Sequence, residues 1–322
     1  MCCAHGAVHA QPADTLAALD RDRIATAMRI ARDVGDSVWT GWSSAPFAIL
    51  LVAPEREFLI GHPAPGAGFQ RVGREQSLGG ELLVRNRVFP TGMLATFPIT
   101  GSLPVVVIGR AEQTGKPPMA WVLTLLHEHF HQLQFSRAGY YSRLAALQLS
   151  RGDTTGMWAL NYAFPYDSTP VNEKFNALTA SLVRAIDTTT YTVRTEHIAD
   201  IRRTYGALRA ALSSDDARYL EFQLWQEGVP RYVEYRTAAL AAHRYANRDM
   251  HAISAQTWDV ARDSIFRAIV RGTSRAALSR HKREVAYPVG AALALVLDVA
   301  EPRWKERYFE DMFTLPICRA GC

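Results

Sequence analysis

Features that mark several classes of protein are scarce or missing in this sequence. Four cysteines in 322 residues are too few for a disulfide scaffold, and none has the spacing of a structural zinc site. No apolar run reaches the roughly 18 residues that cross a bilayer. Only four of the 36 basic residues are lysines, and the arginines are scattered without a basic block, so no nucleic-acid partner is expected. An apolar fraction of 48% with 21% charged residues instead fits a globular, soluble chain.

The first residues, "MCCAHGAVHAQPAD", have the small residues of a cleavage site without the rest of a signal peptide. "AVHA" followed by Gln11 resembles the end of a secretory signal, but a charged start and an apolar stretch are missing. One hypothesis is that residues 1–10 are the end of a longer signal peptide. It predicts a periplasmic or secreted protein in which Cys318 and Cys322 can pair. The alternative is a disordered tail, residues 1–12, on a cytoplasmic protein.

The densest cluster of chemically active side chains is "LLHEHFHQLQ", residues 125–134. On a helix His127 and His131 stand about 40° apart around the axis, so both imidazoles can point at one ion. Glu128 borders that site about 100° from His127, whereas His129 lies about 200° away and faces the other side. His-Glu-x-x-His is the pattern of a zinc hydrolase, with neutral nitrogen ligands beside a carboxylate general base. The alternative is a pair of satisfied histidines in a protein core.

The surrounding residues favour a buried metal helix. "MAWVLTLL" is apolar, Pro117 and Pro118 are where a helix begins, and Gly139 is where one ends. The pattern predicts a helix over residues 119–137. Two histidines in such a helix are costly unless something binds them.

The rest of the chain predicts an α+β fold. Residues 13–36 have helical spacing with Gly35 as a stop. "FAILLVAPEREFLIGH" predicts strand, turn and strand, and "ELLVRNRVF" and "LPVVVIG" are further candidate strands. Beyond Pro118 the predicted helices are 119–137, 172–186, 195–212, 215–245, 255–270 and 289–300. This order predicts a small sheet-containing N-terminal lobe, residues 13–139, that ends in the metal helix, and a mostly helical C-terminal lobe, residues 140–322.

A catalytic zinc site needs a third protein ligand, and "LWQEGVPRYVEY", residues 224–235, offers Glu227. The segment is largely apolar, yet Gly228 and Pro230 follow at once and are poor residues for a helix interior. Such an irregularity beside a buried acid predicts a site. The alternative is an acid on a solvated face, as expected for two neighbours, Glu221 and Glu234.

"HEHFH" followed by "LWQEGVPRYVEY" resembles the gluzincin metallopeptidases, in which a glutamate from a second helix completes the His-Glu-x-x-His site. It is similar to the group of aminopeptidase N and the glycyl aminopeptidases, where that glutamate lies in Trp-x-x-Glu-Gly-x-x-x-Tyr. The matching residues are Trp225, Glu227, Gly228 and Tyr232, with one residue rather than two between Trp and Glu. "AYPVGAALALVLD", residues 286–298, is similar to the Tyr-x-x-Gly segment of the same group through Tyr287 and Gly290.

The resemblance implies a thermolysin-like architecture and a peptide or protein substrate. It also implies one Zn²⁺ per chain, held by His127, His131 and Glu227, with Glu128 as the general base and Tyr287 as donor to the developing oxyanion. Because Pro288 disfavours helical geometry in the residue before it, Tyr287 is predicted to precede the helix that starts after it. Gly290 is expected to allow a neighbouring backbone to come close.

The sequence also departs from that group. About 95 residues separate His131 from Glu227, far more than in aminopeptidase N. The Gly-x-Met-Glu-Asn segment that holds a free amino terminus is missing, since "TGMLAT" at 91–96 keeps only Gly-Met, so aminopeptidase specificity is not implied. "LPVVVIG" at 103–109 is either an edge strand able to pair with a peptide or an ordinary buried strand. A zinc hydrolase of a non-peptide amide or ester, or a catalytically silent binding module, are the alternative functions.

Overall fold

The fold begins with a long helix that packs mainly against two later helices and the 3₁₀ turn between the third and fourth strands. The computed structural model describes residues 15–245 and 256–318. Helix α1 (Ala18–Val38) continues through Gly35, so the predicted stop there is wrong. A Cβ at Gly35 would lie 3.3 Å from the backbone nitrogen of Ser43, which shows that this glycine serves close packing. The proposed signal remnant at residues 1–10 and the side chains of Cys318 and Cys322 lie outside the described residues.

Within the described residues, six strands form the main sheet. They are β1 (Ile49–Val52), β2 (Arg56–Ile60), β3 (Gln70–Glu75), β4 (Gly80–Asn86), β5 (Leu94–Pro98) and β6 (Pro104–Gly109). Their order is β3-β4-β2-β1-β6-β5. β1 and β6 are parallel, and the other neighbours are antiparallel. The predicted pair of strands around a short turn is confirmed as β1 and β2.

Of the two interpretations of "LPVVVIG", the ordinary buried strand is confirmed and the edge strand is wrong. β6 lies between β1 and β5, and all six of its residues are buried. A uniformly apolar strand is typical of one covered on both faces, and alternate residues of β6 belong to the two cores on either side of the sheet. The edge next to β6 is β5, which is partly exposed.

Two helices follow the sheet directly: α2 (Ala111–Thr114) and α3 (Pro118–Ser136). Helix α3 lies against the sheet and is fixed to it by side-chain hydrogen bonds. Gln132 Nε2 donates to the carbonyls of Ala48 and Pro104 at 2.8 and 2.9 Å, and Trp121 Nε1 donates to Gly109 O at 2.7 Å. These bonds hold α3 in one position across the strands.

The remainder is helical apart from a short hairpin, β7 (Ile186–Asp187) and β8 (Thr192–Val193). The helices are α4 (Tyr140–Ala146), α5 (Trp158–Asn161), α6 (Thr169–Ala185), α7 (Ile198–Ala210), α8 (Ser214–Gln223), α9 (Val229–Arg244), α10 (Trp258–Ser274), α11 (Leu278–His281), α12 (Ala286–Ala300) and α13 (Trp304–Arg307). The predicted α+β class is confirmed, with predicted helices displaced by up to five residues at their ends. No described helix is both long and apolar enough to cross a membrane.

Candidate metal centre

Two histidines of α3 face the same side of the helix. His127 and His131 are each 5% exposed, and their ring centroids are 4.9 Å apart. The four-residue spacing accounts for this arrangement, because it places the two side chains one helical turn apart on one face. The helix that the sequence predicts as the metal helix therefore presents both imidazoles together.

His129 points to the opposite side of α3. Its ring stacks on Phe47, with centroids 3.7 Å apart and 6° between the planes. Its Nδ1 lies 2.9 Å from Gln132 Oε1. Burial lowers the pKa of His129 to about 4, so the ring is neutral at physiological pH. His129 packs α3 against its surroundings and lies outside the metal centre, on the face that the spacing predicts.

Glu227 comes from an irregular turn in the second helix. α8 and α9 are joined by a π-helical segment, Leu224–Gly228, so that one continuous helix runs through Glu227. Single π-helical turns inside α-helices are frequent at functional sites, because they turn side chains out of the regular spacing. The irregularity that the sequence indicates around Glu227 is therefore this π segment.

The π segment has a local cause and local compensation. Pro230 has no N–H, so it cannot donate to the carbonyl of Gln226 four residues earlier. Gln134 Nε2 donates to the carbonyls of Trp225 and Gln226 at 3.3 and 3.5 Å. The hydroxyl of Tyr308 also donates to the Trp225 carbonyl at 2.9 Å. Side chains from α3 and the C-terminal part thus satisfy the carbonyls that the irregular helix leaves available.

Three side-chain atoms meet at separations that suit a metal ion. The ligand atoms of His127, His131 and Glu227 all lie within 4.8 Å of one another. Glu227 Oε2 is 3.6 Å from His131 Nε2 and 3.9 Å from His127 Nε2. Two ligands about 2.0–2.1 Å from a tetrahedral zinc ion are about 3.4 Å apart. The two distances to Glu227 exceed this value by about 0.2 and 0.5 Å. The three groups can occupy three corners of such a site once the side chains move closer together, and the fourth corner remains for water or substrate.

A buried carboxylate orients His127. Glu234 Oε1 lies 2.8 Å from His127 Nδ1, so that nitrogen donates its proton there and Nε2 is the free lone pair. Arg231 pairs with the other oxygen of Glu234. Burial raises the pKa of Glu234, but Arg231 and His127 outweigh this effect and hold the pKa below its ordinary value. Glu234 is therefore an anion that fixes the tautomer of His127.

The prediction that Glu234 and Glu221 lie on a solvated face is wrong for both. Glu234 is 5% exposed, because α9 is buried on nearly all sides. The side chain of Glu221 is 12% exposed and bonds Arg209 at 2.8 Å, away from the centre. A signal for Glu234 was available in the sequence: it follows Glu227 by seven residues, about two helical turns, and so lies on the same face.

His131 is oriented by amides instead of a carboxylate. Its Nδ1 lies 2.6 Å from Gln134 Oε1, which also accepts a bond from Gln226 Nε2 at 3.2 Å. Tyr140 donates to Gln226 Oε1 at 2.9 Å. With Nδ1 donating to Gln134, Nε2 of His131 faces Glu227 as a lone pair. No pattern in the sequence indicates Gln134 and Gln226 as hydrogen-bond partners around His131.

The centre carries more acidic than basic groups. Burial lowers the pKa of His127, but Glu227 and Glu234 outweigh burial and raise the pKa to about 10. Burial also raises the pKa of Glu227, yet the adjacent imidazoles of His127 and His131 outweigh burial and lower it far below its ordinary value. Glu227 and Glu234 therefore stabilise a positive charge between them, which can be a proton on His127 or a divalent cation.

Glu128 lies beside the centre but outside the ligand set. Thr96, on the edge strand β5, donates to Glu128 Oε2 at 2.8 Å and to the Glu128 carbonyl at 3.0 Å. This bond fixes one carboxylate oxygen and leaves Oε1 for another partner. The side chain is 7% exposed, so solvent competes little with a group that binds there.

Tyr287 lies against the same centre. Its ring stacks on His127 with centroids 6.0 Å apart and 20° between the planes, and its hydroxyl is close enough to Glu227 for that carboxylate to raise its pKa. Burial, followed by the charge of Glu227, raises the pKa of Tyr287 far above its ordinary value. The hydroxyl is therefore protonated at any physiological pH and is available as a donor.

The prediction that Tyr287 precedes its helix is wrong. α12 starts at Ala286, directly after a 3₁₀ turn, Lys282–Val285. Pro288 is the third residue of α12, within the first turn, where N–H groups have no intrahelical acceptor to lose. Proline is tolerated there, and the residue before it joins the helix.

The helices that carry Glu227 and Tyr287 touch through two glycines. A Cβ on Gly228 would lie 2.4 Å from Gly290 Cα, and a Cβ on Gly290 would lie 2.6 Å from Gly228 Cα. No side chain larger than hydrogen fits between the two backbones. The prediction that Gly290 allows close approach of a neighbouring backbone is confirmed. The contact fixes the spacing of the two helices that carry Glu227 and Tyr287.

The centre thus combines an N₂O ligand set, an adjacent carboxylate and a protonated hydroxyl around one point. Side chains of these kinds, placed together around a metal ion, can activate water and stabilise a developing oxyanion. No protein-family model, curated protein or solved structure matches the chain.

Proposed function

We propose that the chain is a zinc-dependent metallopeptidase of the gluzincin type with one Zn²⁺ per chain. One observation carries the proposal: the ligand atoms of His127, His131 and Glu227, from two separate helices, lie within 4.8 Å of one another, and a Glu227 oxygen is 3.6 and 3.9 Å from the two Nε2 atoms. Two histidines and a glutamate with an open fourth position form the ligand set of catalytic zinc hydrolases. Glu128, next to the ligands in sequence, is kept free of them by Thr96.

The surrounding residues suit the hydrolysis of an amide. A zinc ion bound here supplies Lewis acidity that polarises a water molecule and the scissile carbonyl. Glu128 Oε1 accepts the proton of that water and delivers it to the leaving amine. Tyr287 donates a hydrogen bond to the oxygen on which negative charge develops. Glu234 and Gln134 keep the lone pairs of the two histidines directed at the ion.

The edge strand supports a peptide substrate over a small amide or ester. β5 has one side without a neighbour in the sheet of the described residues, and Thr96 of this strand contacts Glu128. An extended peptide that adds to such an edge gains backbone hydrogen bonds and passes the general base. A sheet with a free edge, a metal helix packed across it and a third ligand from a later helix also support the thermolysin-like architecture.

The test combines metal analysis with a peptide digest. We expect one zinc per purified chain, lost in His127→Ala, His131→Ala and Glu227→Ala but kept in the exposed-histidine control His243→Ala. Full zinc occupancy in Glu227→Ala would remove the assigned third ligand.

The second arm of the test uses the general base. We expect zinc-loaded protein to cleave members of a random peptide library, and Glu128→Gln to keep zinc and thermal stability while cleavage falls by several orders of magnitude. An amide at this position cannot accept the proton of the water. Normal cleavage by Glu128→Gln would contradict the mechanism, and a library left intact by zinc-loaded wild type would contradict peptidase function.

A further inference from the structure

A cavity of about 560 Å³ opens beside the proposed oxyanion donor. Its walls come from residues 160–166 on one side and residues 280–284 on the other. Arg283, in the second wall, is close enough to Tyr287 and Glu227 for both side chains to raise its pKa. Arg283 therefore contacts the cavity on one side and interacts with side chains of the metal centre on the other.

The charge of this cavity is opposite to that of the metal centre. Four consecutive residues of its wall have basic side chains: Arg280, His281, Lys282 and Arg283. The acid that follows, Glu284, pairs with Arg283 at 3.1 Å, but its side chain is 60% exposed, against 25% for that of Arg283. Such exposed pairs contribute little, so a carboxylate brought by a ligand can take the place of Glu284 on the guanidinium.

The backbone next to Arg283 is strained. Lys282 has φ +48° and ψ −131°, a region that residues with a side chain rarely adopt. Conformations of this kind are strained and cluster at functional sites. Here the strained residue is the first of the 3₁₀ turn that follows α11, and it directly precedes Arg283 in the chain.

The inner end of the cavity offers an acceptor. A smaller recess shares Phe164, Tyr166 and Arg283 with it and reaches Gln223. Gln223 is 4% exposed and donates to Ala159 O at 2.7 Å, while its Oε1 has no hydrogen-bond partner among the described residues. The recess has a volume of about 10 Å³, so a single water molecule would satisfy this oxygen.

We infer that the cavity is a carboxylate subsite, in which Arg283 binds a carboxylate of the substrate while the scissile carbonyl lies at the metal centre. The inference rests on the proposed peptidase function for the identity of the substrate. A guanidinium binds a carboxylate through two parallel hydrogen bonds. A peptide offers this group at its free C-terminus or on an acidic side chain, and both sources present the same chemistry to Arg283.

The first test measures binding and needs no hydrolysis. Two acid and amide pairs are titrated calorimetrically into zinc-loaded protein: N-acetylalanine against N-acetylalanine amide, and N-acetylglutamate α-amide against N-acetylglutamine amide. We expect one acid to bind about 10- to 100-fold more tightly than its amide, since hydrogen bonds to charged groups contribute at this level. The pair that shows the difference identifies the source of the carboxylate.

The variant that tests the residue is Arg283→Gln, and its matched control is Arg184→Gln, an exposed ion-paired arginine of α6. We expect the preference for the acid to fall below about threefold in Arg283→Gln and to persist in Arg184→Gln. A preference that survives Arg283→Gln would place the carboxylate elsewhere, for example on the zinc ion, and would overturn the inference. If Arg283→Gln does not fold, equal binding of acids and amides to the wild type would overturn it just as well.

Cleavage of matched acid and amide peptides separates this inference from the proposed function. Cleavage of both forms with equal kcat/KM would refute the subsite and leave the peptidase intact. Acid binding through Arg283 without any cleavage would refute the peptidase and leave the subsite.

Discussion

The contact between Gly228 and Gly290 makes a quantitative prediction for Gly290→Ala. The new Cβ would lie 2.6 Å from Gly228 Cα and 2.8 Å from the Leu224 carbonyl, both backbone atoms. Ordinary contacts begin near 3.4 Å, so the two helices must separate by about 0.8 Å. Overpacking of this kind costs about 1–3 kcal/mol, and the higher helix propensity of alanine offsets about 1 kcal/mol of that. We expect the free energy of unfolding to fall by up to about 2 kcal/mol.

The functional effect of Gly290→Ala should be larger than the loss of stability. Glu227 and Tyr287 lie on the two helices that separate, and metal ligands tolerate errors of only about 0.2 Å. A displacement near 1 Å lowers turnover by about 10²-fold, and we expect zinc affinity to fall with it.

Urea unfolding, zinc competition titration and peptide cleavage measure the three effects of Gly290→Ala. Gly73→Ala is the matched control, since nothing lies within 4 Å of a Cβ at that strand position. Wild-type stability and turnover in Gly290→Ala would refute the role assigned to the glycine contact.

Three further predictions concern the centre itself. Tyr287→Phe should keep zinc and thermal stability but lower kcat by about 10²–10³ with little change in KM, as expected for a lost oxyanion donor; a lower melting temperature with normal kcat would show a packing role instead. Glu234→Gln should weaken zinc binding about 10- to 100-fold in a competition titration, whereas Glu221→Gln, an equivalent ion-paired acid outside the centre, should bind zinc normally. Zinc affinity should rise about tenfold per pH unit between pH 6 and 8, because zinc must displace the proton of His127, whose pKa is raised to about 10; an affinity that does not change with pH would contradict this competition.

Most features that depend on near neighbours in the chain were predicted well, although the local rules failed for the helix stop at Gly35 and for Tyr287 before Pro288. The four-residue spacing of His127 and His131 fixes their shared face in any helix, and the same geometry turns His129 away. The turn between β1 and β2 likewise follows from adjacent residues. Gly228 and Pro230 indicated an irregular helix, although not that it would be a π segment.

Features that depend on distant contacts were predicted poorly. Nothing in "LPVVVIG" states which strands lie beside it, so its inner position in the sheet followed only from the pairing with β1 and β5. Exposure of an acid cannot be judged from its type, since Glu234 is buried by elements that are far away in sequence. The strained Lys282 and the cavity beside it carry no signal in the local residue pattern.

The sequence by itself determined the chemistry that is available: two imidazoles one turn apart with a carboxylate between them, and a glutamate in a segment unsuited to a regular helix. These follow from residue identity and helical periodicity, which act within a few residues. The tertiary structure alone decided which groups meet. It brings Glu227 within 4 Å of both imidazoles, places Glu234 and Gln134 on their far nitrogens, and sets Arg283 beside Tyr287. The physical reason is that burial, strand pairing and backbone contact between helices bring together residues that are far apart in the chain. Local residue patterns do not predict such contacts.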